Sequence, residues 1–117
     1  MDSVTSETYE RDVVAASREV PILVDVWGPQ CGPCIKMMPM VERLAEEHAG
    51  AVRFVKLDSS QNRRLCVNLG VMGLPTFLVY RDGEQVQRLT GDDCTPSAIK
   101  QVVSQISVLE SSTKGDA

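Results

Sequence analysis

Apolar residues come in short, separated runs along this chain, and their spacing changes from run to run. Ile22-Leu23-Val24-Asp25-Val26 is apolar at nearly every position. A run of that kind suits a strand covered on both faces. Val52 to Asp58 repeats the pattern, broken only by Arg53 and Lys56. Phe77-Leu78-Val79-Tyr80 predicts a third strand, and Asp82-Gly83 the hairpin turn after it. Gln85 to Thr90 follows with only Val86 and Leu89 apolar, the pattern of an edge strand.

Between these runs the period lengthens. Ile99, Val102, Val103 and Ile106 recur at i, i+3, i+4 and i+7, which predicts an amphipathic helix. Thr95 and Pro96 supply its N-cap and first turn. A second helix begins near Cys31–Pro33. Met37, Met38, Val41, Leu44 and Ala45 line its dry face, and Glu42, Arg43, Glu46 and Glu47 its wet one. Gly50 ends it, and Pro39 removes one backbone bond inside it. A helix from Glu7 to about Ser17 is expected, with Ser6 as N-cap and Tyr9, Val13 and Val14 inward. Gln61 to Leu69 reads as a short helix stopped by Gly70. The first five residues are too few to read as a strand. The first two strands, joined by a helix, should run parallel, and the last two form an antiparallel hairpin. The fold class is therefore α/β, a central mixed sheet flanked by helices on both faces. One domain over 1–109 is expected, with a polar, disordered tail over 110–117.

Composition narrows the possible functions. At 117 residues the chain is one domain, long enough to bury a core without disulfides or a metal. A net charge of −4 argues against nucleic acid or an anionic membrane as the main partner. No apolar run reaches the roughly 18 residues that a membrane span needs. Residues 1–7 lack the basic and apolar regions of a signal peptide, so a cytoplasmic location is expected. Four cysteines in such a chain point to catalysis or metal binding before a structural disulfide framework.

The cysteine spacing carries the chemistry. Cys31-Gly32-Pro33-Cys34 sits where a strand turns into a helix, the setting of a redox dithiol. Unpaired N–H groups and the dipole at a helix start favour a negative sulfur. Pro33 suits a first turn, where its missing N–H costs nothing. Zinc needs about four ligands, and only Cys66, Cys94 and His48 remain as soft donors, at unhelpful spacing. Haem attachment needs a histidine where Ile35 stands. No metal and no cofactor are expected.

Asp25 is out of place in an apolar strand. Either it is an acid with a satisfied hydrogen bond, or burial raises its pKa enough to move protons near neutral pH. Lys56 is either its partner across adjacent strands or a lysine snorkelling to the sheet edge. Cys66 reads as a small buried hydrophobe. Cys94, after Asp92-Asp93, reads as an exposed thiol whose acidic neighbours disfavour the thiolate. His48 reads as a solvated surface residue, and Met37, Met38 and Met40 as helix packing.

Taken together, Trp27-Gly28-Pro29-Gln30-Cys31-Gly32-Pro33-Cys34, Asp25 before it, Pro39, Lys56, Leu74-Pro75-Thr76 and Gly91 resemble the thioredoxins, over about Tyr9 to Ile106. That resemblance implies protein-disulfide reductase activity, with Cys31 as nucleophile and Cys34 as the resolving thiol. It implies a redox-active Cys31–Cys34 disulfide, and proton transfer from Cys34 to Asp25. It also implies a cis bond before Pro75, where the residues alone favour trans. Trp27, Gln30, Gly32, Pro33, Gly73, Leu74, Pro75 and Gly91 are the implied substrate surface. The implied partners are disulfide-containing proteins and a thioredoxin reductase, since no nucleotide-binding motif lies in the chain; a monomer is expected. Gln30, Gly28 and Ile35 depart from the family's usual residues, so a thioredoxin-fold module dedicated to one partner, or acting as a binding scaffold, is the alternative.

Overall fold

A computed structural model describes the backbone of residues 1–115 and the side chains of residues 1–107. The strands are β1 (Asp2–Val4), β2 (Ile22–Trp27), β3 (Arg53–Asp58), β4 (Thr76–Arg81) and β5 (Glu84–Thr90). The helices are α1 (Gly32–Glu47), α2 (Arg63–Asn68) and α3 (Pro96–Gly115), with a helical segment from Glu10 to Arg18 before β2. Of the tail expected at 110–117, the backbone of 110–115 continues α3, and 116–117 lie outside the described residues.

The sheet order is β1-β3-β2-β4-β5. β1 and β2 both run parallel to β3, whereas β4 runs antiparallel to β2 and β5 to β4. This is the mixed sheet expected, with one more strand. β1 was illegible because only Val4 of its three residues is buried. Its order comes from backbone pairing to the edge of β3, which leaves no side-chain pattern.

Period two in the strands sorts the core into two layers. Leu23, Phe54, Phe77 and Val79 meet α1 and α3 through Val41, Leu44, Ile99 and Val103. Ile22, Val24, Val26, Leu57 and Leu78 meet the amino-terminal segment and α2 through Tyr9, Val13 and Cys66. Alternation therefore turns Asp25 and Lys56 toward α1, on the side of Leu23 and Phe54. Met37 and Met40 pack on that same layer, as helix packing requires.

Three expectations need correction. Residues 10–15 wind as a π-helix and 16–18 as a 3₁₀ turn, rather than as an α-helix over 7–17. Apolar spacing reports which face is inward, and Tyr9 and Val13 are indeed buried, but it does not report which carbonyl each N–H reaches. Ser6 does not cap this segment. Its N–H and hydroxyl both donate to Asn62 Oδ1, at 2.9 and 3.0 Å, a partner 56 residues away. His48 is half-buried, its Nδ1 2.9 Å from Ser107 Oγ, and so ties the end of α1 to α3. Elsewhere the punctuation reads as expected. Thr95 Oγ1 accepts from Ala98 N–H at 3.1 Å, and Asp82 and Gly83 make the hairpin turn at φ 54° and 85°.

Candidate functional site

β2 ends at Trp27, and the chain turns through Gly28–Gln30 into α1. Cys31 is the N-cap of α1, and its Sγ accepts the backbone N–H of Cys34 at 3.2 Å. Sulfur thus takes the place of the oxygen that a Ser or Asp cap would offer to the orphan N–H groups. Cys31 and Cys34 are joined by a disulfide, with Cα atoms 5.3 Å apart. Cys31 is half-exposed and Cys34 buried. A partner can therefore reach the first sulfur and not the second. Gly32 and Pro33 are exposed between them, and the helix continues through Pro39.

Asp25 is 2 % exposed. Burial pushes its carboxyl up to about 7, and the ammonium of Lys56 pulls in the opposite direction. Burial wins. Lys56 is the β3 residue paired with Asp25, and its Nζ lies 5.9 Å from the centroid of the Trp27 ring. The half-buried lysine thus serves two neighbours, a cation over an indole face and a positive charge beside the acid. On its other side Asp25 pairs with Phe77 of β4.

The residue after Trp27 has a packing reason to be glycine. A Cβ on Gly28 would lie 3.2 Å from Leu74 Cδ1 and 3.3 Å from Ser59 Oγ. Leu74 therefore rests against the turn that carries Cys31, whose N–H donates to Gly28 O at 3.0 Å. The Leu74–Pro75 bond is cis. The Pro75 carbonyl accepts the Gly91 N–H at 2.9 Å, which brings Gly91 beside Pro75. Thr76 Oγ1 donates to Gly73 O at 2.7 Å across the proline. Gly73 and Gln30 are exposed. These contacts bring Leu74 against the Gly28 turn and Gly91 against Pro75. Gln30 stands on the Cys31 turn with its side chain in solvent.

Cys94 is not the exposed thiol expected. It is 8 % exposed, and its Sγ lies 3.5 Å from the Pro75 carbonyl, to which it donates. Burial raises its pKa to about 11, with Asp93 and then Asp25 adding to the rise and a hydrogen bond from the Phe77 backbone opposing it. The acidic neighbours do disfavour the thiolate, as expected, but burial is the larger cause. The chain turns inward after Asp92-Asp93, and that turn is not visible in residue types. Cys66 is buried as expected, its thiol raised by burial and then by Asp58. Sequence reasoning also missed Arg88 and Thr90, whose contacts lie with residues 14 to 19 positions away. Among the described residues no group of three metal-ligating side chains converges, and no helix is long and apolar enough to cross a membrane.

A thioredoxin family model matches residues 1–105. The chain is 35% identical to a thioredoxin of Acetoanaerobium sticklandii over 103 residues, covering 88% of this chain and 96% of that one. It is 41% identical to a thioredoxin of Streptomyces clavuligerus over 91 residues, 78% of this chain and 82% of the relative. Its fold is similar to the crystal structure of Fasciola hepatica thioredoxin, with a TM-score of 0.81 and 28% identity, covering 90% of this chain and 98% of that one.

Proposed function

The chain belongs to the thioredoxin family of thiol–disulfide oxidoreductases, and on that premise we propose how its residues divide the work. Cys31 in its reduced form is the nucleophile. Its thiolate attacks one sulfur of a substrate protein disulfide, forms a mixed disulfide and expels the other substrate sulfur as a thiolate. Cys34 then gives up its proton and attacks Cys31 Sγ. The Cys31–Cys34 bond forms, the mixed bond breaks, and the second substrate thiol leaves. Two electrons and two protons pass to the substrate. A separate reductase of the thioredoxin reductase kind returns the disulfide to the dithiol.

The observation that carries this reading is the cap geometry. Cys31 is the half-exposed sulfur that accepts the Cys34 N–H at the start of α1. A thiolate there is favoured by a bond and by the helix dipole. Asp25 is assigned the Cys34 proton, directly or through water. It lies on the α1 side of the sheet, and a carboxyl with a pKa of about 7 both accepts and returns protons at neutral pH. Lys56 tempers that pKa. Trp27, Gln30, Gly32, Pro33, Gly73, Leu74, Pro75 and Gly91 form the surface on which the substrate chain rests. We place the protein in the cytoplasm as a monomer, where a reducing pool keeps the dithiol available.

Partner choice is assigned to the rim. Ile35 is 51% and Met72 95% exposed. An apolar side chain held in water next to Cys34, and another on the loop that leads into Pro75, favour a restricted set of partners with apolar residues near their own cysteines. The test is reduction of a generic protein disulfide with thioredoxin reductase and NADPH present. Turnover that vanishes in Cys31→Ser is expected. No turnover, with both thiols free by titration, would overturn the general reductant and leave the dedicated partner.

A further inference from the structure

We propose that Arg88 and Cys94 are positioning residues that hold both ends of the 71–75 loop, so that its middle is presented to a substrate chain beside Cys31; this rests on the thiol–disulfide reading above. The loop starts where α2 stops. Gly70 has φ 70°, its N–H donates to Val67 O at 3.0 Å, and Val71 N–H donates to Cys66 O at 2.9 Å. That closure satisfies earlier carbonyls of α2 and leaves those of Leu69 and Gly70 pointing onward. Arg88, on β5, fills both. Nη1 donates to Gly70 O at 2.9 Å, and Nη2 donates to Leu69 O at 2.5 Å and to Gln85 Oε1 at 3.2 Å. A guanidinium is suited to this, since its planar fork reaches two carbonyls at once and its charge complements a helix carboxyl terminus.

The other end is held from the same strand and the turn after it. Pro75 O receives the Gly91 N–H and the Cys94 S–H, and Thr76 Oγ1, which donates to Gly73 O, lies 2.9 Å from Thr90 Oγ1. Cys94 can donate only as a thiol, and its burial keeps it one. Between the two anchors, Met72 stands in solvent and Leu74 reaches back to Gly28. β5 and its turn thus act as a strap. An exposed methionine and a backbone held at both ends can receive a chain without first being ordered, which lowers the cost of docking.

The test compares KM and kcat for a protein disulfide with the rate for a small aromatic disulfide, which needs no chain docked along the loop. Arg88→Gln is expected to raise KM for the protein roughly fivefold with kcat within about twofold, the equivalent of about one ordinary net hydrogen bond. Arg88→Lys should recover part of it, as a single-point charge does. Cys94→Val should raise KM in the same direction, and Cys94→Ser, which keeps a donor, should restore it. In amide NMR spectra Gly73 and Leu74 should broaden in Arg88→Gln while Val26 of β2 does not. Unchanged KM and unchanged Gly73 and Leu74 resonances in Arg88→Gln and Cys94→Val would overturn the proposal, as would an equal loss with the small disulfide. Failure of the underlying reading would show in the unmodified protein instead, as no reduction of either substrate with the thiols free.

Discussion

Two pairs of cysteines share this chain in opposite surroundings. Cys31 and Cys34 sit at the start of a helix, one half-exposed and capped by the other's N–H. Cys66 and Cys94 are buried, and both thiols are pushed up by that burial with a carboxylate adding to it, Asp58 for one and Asp93 for the other. The residue type is the same, and the field and the solvent differ. What separates a reactive sulfur from an inert one here is a few oriented N–H groups against a few buried methyls and an acid.

The strongest way to break that comparison is to remove the reactive member. Cys31→Ser should lower protein-disulfide reduction roughly a thousandfold or more, because no other thiol takes its place. If Cys94→Ser or Cys66→Ser did the same with the fold intact, the division between the pairs would fail.

Asp25 tests the electrostatic side. A carboxyl whose folded pKa is about 7, against about 4 when unfolded, favours its protonated form in the fold. Its contribution to stability is complete below about pH 4 and is lost as pH rises through about 7. Asp25→Asn should therefore be more stable than the parent by up to about 4 kcal/mol at pH 8, and little different at pH 4. Denaturant melts across that range decide it, and parallel curves for the two proteins would show that Asp25 is not held neutral.

Alkylation of the reduced protein sharpens the contrast between thiols directly. At pH 7 a Cys94 pKa of about 11 leaves about one thiolate in ten thousand, whereas the helix start favours the thiolate of Cys31. The less basic thiolate is the less nucleophilic one, which returns part of that advantage and still leaves Cys31 ahead before access is counted. Mass-resolved labelling with iodoacetamide checks it, and comparable rates at Cys31 and Cys94 would refute it. The smallest effect belongs to the rim. Gln30→Trp should shift relative KM among several protein substrates by a few fold, through added apolar contact worth about 1 kcal/mol. An unchanged ranking would remove Gln30 from partner choice.

Much of this was legible in the residues, for reasons that can be named. Ile22–Val26 and Phe77–Tyr80 are covered on both faces, so their burial is written as unbroken apolar runs. Asp82-Gly83 carries its own turn geometry. The dithiol is legible because its spacing is local. What was hidden depends on contacts between distant segments. β1 is held by backbone pairing and by the one buried side chain of Val4, and Cys94 is turned inward by the Gly91–Asp93 turn onto a carbonyl 19 residues earlier. Pro75 gives no local sign of its cis bond, which only the likeness to a family implied. Arg88 looks like any charge on an edge strand, and the carbonyls it fills lie 18 and 19 residues back.

The division of labour between Cys31 and Cys34 is tested most directly by trapping the intermediate. Reduced Cys34→Ser, mixed with a protein disulfide, should accumulate a mixed disulfide that peptide mapping places on Cys31 and that excess dithiothreitol releases. An adduct on Cys66 or Cys94, or none at all with the Cys31 thiol free, would contradict it.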